Sequence, residues 1–80
     1  MILDTSATEI SYRNLVPYYF AASGGDVKLE RKLSTGAWLE LANSPILNGE
    51  EVEVITITAN GNLRATATAN PTELAFGELK

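Results

Sequence analysis

From the middle of the chain onward, apolar and polar residues alternate at every second position, and this period restricts the fold class more than any other feature. Val27, Leu29, Arg31 and Leu33 alternate with Lys28, Glu30 and Lys32, the pattern of a strand with one buried face. Arg31 falls on the apolar side, so either its stem packs there while its head escapes to water, or it marks a contact surface. Gly24-Gly25-Asp26 is a turn signal, and Tyr18 to Ala22 reads as the strand before it, so these two strands are expected to pair as a hairpin. Ser34-Thr35-Gly36 closes the Val27 strand, and Ala37 to Leu41 reads as its partner in a second hairpin. Val52 to Thr58 is dense in β-branched residues, and Asn60-Gly61 after it is a strong hairpin signal with Leu63 to Ala69 as the returning strand. Thr8 to Tyr12 and Leu74 to Leu79 supply the first and last strands, about seven in all. Ile46 and Leu47 sit in a turn-rich loop and are expected to be tucked under it. No segment keeps a helical period. The expected fold is all-β, a small antiparallel β-sandwich or barrel-like fold.

With 80 residues the chain has room for one core. Residues 12–80 read as a single β-sandwich domain, and residues 1–11 as an N-terminal arm or a first edge strand. A domain of this size buries about 60 to 65% of the surface its unfolded chain exposes, so its core is thin. With no Cys and no His, disulfide and zinc staples are unavailable. Self-association is the remaining common device. The amino terminus has neither the basic stretch nor the apolar run of a signal sequence or a membrane span, so neither export by that route nor membrane insertion is expected. Ten acids against six bases leave a formal charge of −4, and apart from Lys28, Arg31 and Lys32 the bases are scattered. Nucleic acid and anionic membranes are therefore poor partners, because both require a basic face.

No residue set competes for catalysis, and neither a metal nor another cofactor is expected. Serine hydrolysis of the usual kind needs a histidine base, and Ser23 with Lys28 lacks flanking residues that would desolvate the lysine. Glu50, Glu51 and Glu53 form an acid cluster that reads as a solvated strand edge, its charge guarding against stray pairing. Trp38 is expected in the core, with a platform stacking on a sugar ring as the alternative. Tyr19 points away from Tyr18 and Phe20 and is a candidate for a subunit contact. Leu63, Ala65, Ala67 and Ala69 make one side of their strand mostly methyl-sized, so another sheet or subunit must approach closely, while Arg64 faces away. Candidate interface residues are thus Tyr19, Arg31, Arg64, Ala65 and Ala67.

The succession Gly24-Gly25-Asp26-Val27-Lys28-Leu29-Glu30-Arg31, Gly36-Ala37-Trp38-Leu39-Glu40-Leu41, a turn-rich loop, Leu63-Arg64-Ala65-Thr66 and a closing apolar strand resembles a small β-sandwich module of bacteriophage virion proteins. Such modules occur as capsid decoration or cement proteins and as pieces of head or tail fibres, often as trimers. The resemblance implies a structural protein made in the host cytoplasm and located in the virion. It would assemble as a homotrimer and bind the major capsid protein or other virion proteins. It transfers no catalytic residue. The plainness of Thr35-Gly36-Ala37 and of the Ala/Thr strand favours shell decoration over a receptor-binding tip. The alternatives are a fibre or tail module that binds a host glycan or protein, and a small phage-encoded binding protein.

Overall fold

Alternation in the sequence becomes eight short strands in a computed structural model that describes residues 1–54, 57–58 and 61–79. They are β1 (Ile2–Leu3), β2 (Thr8–Ile10), β3 (Tyr18–Ser23), β4 (Val27–Lys32), β5 (Trp38–Glu40), β6 (Glu51–Val54), β7 (Leu63–Ala67) and β8 (Thr72–Glu78). Two four-stranded antiparallel sheets result, one in the order β1-β8-β3-β6 and the other in the order β2-β7-β4-β5. Among the described residues there is no helix. The chain is an all-β sandwich whose inner faces supply one core.

Parity decides what that core contains. Tyr18, Phe20 and Ala22 of β3 and Leu74 of β8 face Val27 and Leu29 of β4 and Leu63, Ala65 and Ala67 of β7, and all are buried. Leu3, Ile10, Ile46 and Val54 complete the layer. Ala65 and Ala67 therefore face the interior of their own sandwich and are not available to another subunit. The close approach that their methyl groups permit is that of the opposite sheet. An aromatic row of Tyr12, Tyr18, Phe20 and Phe76 runs through the same layer, with successive ring centroids 4.7, 6.2 and 6.1 Å apart.

Two expected hairpins are instead crossings between sheets. β3 pairs with β8 and β6, and β4 with β7 and β5, so Gly24-Gly25-Asp26 carries the chain from one sheet to the other. Crossing lets the apolar faces of the two strands, Phe20 and Ala22 on β3 and Val27 and Leu29 on β4, bury against each other as opposite layers. The corner is close-packed: a Cβ on Gly25 would stand 2.6 Å from Thr72 Oγ1 and 3.1 Å from Ala69 Cβ. β6 and β7 likewise belong to different sheets. The expected turn residue Asn60 lies outside the described residues. The β4–β5 hairpin is present as expected, with Lys32 opposite Trp38 and Glu30 opposite Glu40.

The amino-terminal segment is part of the sandwich rather than a projecting arm. β1 pairs with β8 and β2 with β7, which makes residues 2–3 and 8–10 the outer strands of the two sheets. Of the two expectations for residues 1–11, an edge strand describes this placement and a projecting arm does not. The Asn43 to Gly49 loop is tied down by reciprocal backbone bonds of 2.8 Å between Val27 and Ile46. Ile46 is fully buried by this bridge, while Leu47, expected to be tucked in with it, remains half exposed.

Candidate functional site

The residues expected to carry chemistry or contacts are sorted by the sandwich onto three surfaces. The first is the outer face of the β2-β7-β4-β5 sheet. In the β4–β5 register Trp38 and Glu40 stand opposite the outward Lys32 and Glu30, so they share the outer face, and Trp38, half-buried there, is not a core residue. This corrects the core expectation, and the signal was present: Trp38 stands three residues from Leu41, which packs against the core, and so falls on the other side of the strand. From β5 the indole leans across β4. The Arg64 guanidinium carbon lies 4.6 Å from its centroid and Lys32 Nζ 5.8 Å. Both distances are within cation–π range.

Arg64 is held from below as well. Its Nε donates to Glu30 Oε1 at 3.0 Å, and its Nη2 stands 2.9 Å from the same oxygen. Lys28 Nζ is 4.0 Å from that carboxylate. Glu30 occupies an outward position on β4, yet only 9% of it is exposed, and the Arg64 side chain from β7 lies against its carboxylate. Alternation alone marks Glu30 as solvated; its pairing with Arg64 on another strand was not legible. The ensemble of Trp38, Arg64, Glu30 and Lys32 is an interlinked, outward-facing platform of mixed charge.

The second surface is the open side of the sandwich between the β5 and β6 edges. A cleft of about 690 Å³ lies there, lined by Arg31, Leu39, Leu41, Val54 and Ile57, with Glu40, Asn43 and Glu53 at its polar margin. Arg31 reaches it from the inner face of β4, and its Nη1 donates to Thr58 C=O at 3.1 Å. Of the two expectations for Arg31, the packed stem with an escaping head describes this placement. Asn43 Nδ2 donates to Glu53 C=O at 3.3 Å and laces the two edges together.

The third surface is the outer face of the β1-β8-β3-β6 sheet. Tyr19, 40% exposed, lies over Gly77, where a Cβ would come within 3.1 Å of the ring. Ala21 and Ala75 extend this flat face toward Glu51 and Glu73. Ser23, on this sheet, and Lys28, on the other, do not come together. Glu51 and Glu53 lie exposed on the edge strand β6, in the setting expected for them. Among the described residues, no group of three acidic side chains converges as a metal site would require. No family model, curated protein or solved structure matches the chain.

Proposed function

We propose that the chain is a structural module that works by binding and assembling, and that its setting is the one its resemblance implies, a phage virion in which it decorates the capsid shell as a homo-oligomer. The observation that carries the assembling role is the placement of large side chains outside the core. Trp38 stands on one outer face, Tyr19 on the other, and Leu39 is 47% exposed at the open edge. In a chain with so thin a core, side chains of this size held outside it favour contact with other surfaces. The packing of Trp38 against Arg64 suits a contact made without ordering cost. The shell and the trimeric form rest on the resemblance.

Mass spectrometry of purified particles tests this setting directly. The chain is expected among the particle proteins in many copies, and its absence from particles would overturn the virion reading. A second reading is favoured by the same Trp38 placement: an outward indole could stack on a host glycan, as in a fibre or tail module. A sugar panel that quenches Trp38 fluorescence would select that reading over shell decoration.

A further inference from the structure

We infer that the β5 edge is a self-recognition site at which two copies of this chain pair antiparallel about Leu39, and this rests on the assembling role proposed above. The backbone parity comes first. Leu41 N–H donates to Leu29 C=O at 2.9 Å and Leu33 N–H to Ala37 C=O at 2.7 Å, so the odd-numbered residues of the β5 segment bond to β4. Trp38 and Glu40 therefore turn their N–H and C=O groups away from β4. β5 is the last strand of its sheet, so these groups face outward.

A second copy related by a two-fold axis at Leu39 places Glu40 of the second copy opposite Trp38, and Trp38 of the second copy opposite Glu40. Each pair exchanges both of its outward N–H and C=O groups, so the edge is complementary to itself without any change of shape. Side chains agree with this register. On the outer face, the Glu40 carboxylate of one copy, whose Oε2 accepts from its own Ser44 Oγ at 2.6 Å, comes up beside the Trp38 of the other, whose ring carries Arg64 and Lys32. On the inner face, Leu39 meets its symmetry mate, which covers an inward-facing leucine that stands 47% exposed in the single chain. The rival edge β6 is less suited. Its outward positions carry Glu51 and Glu53, and the Glu53 carbonyl is already taken by Asn43.

Three paired residues are few for a lasting interface, since stable ones bury about 1,200 Å² or more. The contact gains its strength where copies are held side by side, as on a shell, because tethering raises their effective concentration. There it would link neighbouring oligomers.

The chain has no Cys, so Leu39→Cys introduces a lone thiol. In the two-fold register position 39 is a non-hydrogen-bonded pair with Cα atoms about 4.5 Å apart, within disulfide reach. Leu47→Cys, at a residue of equal exposure outside the strands, is the control. Under mild oxidation the Leu39→Cys chain is expected to form a disulfide dimer at least about tenfold faster than Leu47→Cys, with circular dichroism confirming that both are folded. Leu39→Lys should in turn associate only at a higher concentration than the unmodified chain. Equal rates for the two cysteine variants, with the unmodified chain still associating, would overturn edge pairing and leave the assembling role standing. Equal rates with an unmodified chain that stays monomeric would overturn both.

Discussion

The Arg64 guanidinium is shared between Trp38, whose ring centroid is 4.6 Å from Cζ, and the buried carboxylate of Glu30, 2.9 Å from Nη2. A charge-assisted hydrogen bond under an aromatic cover is shielded from water, so its partners depend on one another. Arg64→Ala strands Glu30 with only the more distant Lys28, and should cost about 1 to 3 kcal/mol in denaturant unfolding. Adding Glu30→Gln should recover part of that loss. The double-mutant cycle is expected to show a coupling of about 1 kcal/mol or more, and additivity would mean that the pair is solvated.

Gly25 is packed where no side chain fits. Gly25→Ala places a methyl group against Thr72 Oγ1, which donates to Ala69 C=O at 2.8 Å, and against Ala69 itself. The expected cost is about 1 to 3 kcal/mol, seen as a lower midpoint in urea with an unchanged slope. Alanine at Gly36 differs in cause: its Cβ would meet open space, and its cost would come from a φ of 89°.

Leu15 has a φ of 62°, in the left-handed region, and its side chain is 66% exposed. A leucine gains nothing from burial there and pays the steric cost of its Cβ. Leu15→Asn should raise stability by about 0.5 to 1 kcal/mol, read as a higher Tm. A lower Tm would show that the exposed leucine makes contacts that offset its backbone conformation.

Alkaline pH should act through Tyr12. Burial holds its phenol above the ordinary value of 10.0, the nearby Tyr18 adds to the rise, and the Ile57 backbone opposes it. A raised value in the folded state means that the fold favours the protonated phenol. That contribution is fully present below the ordinary phenol value and is lost as pH rises through the raised one. Unfolding free energy should therefore decline above about pH 10, and Tyr12→Phe should flatten the decline. The same variant removes the Tyr12 Oη–H bond to Val16 C=O at 3.2 Å and should cost about 0.5 to 1.5 kcal/mol at neutral pH.

Strand positions were legible because side-chain parity is a local property: Tyr18 to Ala22, Val27 to Leu33 and Leu63 to Ala69 all overlap observed strands. Pairing was not. Gly24-Gly25-Asp26 marks where the chain reverses, yet whether β3 and β4 become neighbours or opposite layers depends on which inner faces fit. Phe20 and Leu29 read alike in either arrangement. β1 was missed because two residues are too few to show a period. The outward Trp38 was readable from Leu41, and was obscured by the tendency of a lone tryptophan to be buried. The link that Arg64 makes between Trp38 and Glu30 joins β4, β5 and β7, which are brought together only by the sheet order.

Light scattering by the purified full chain over a wide concentration range tests the assembling role most directly. The expected result is a mass that rises above the 8.6 kDa of one chain as concentration increases. A constant 8.6 kDa species at every concentration would contradict it.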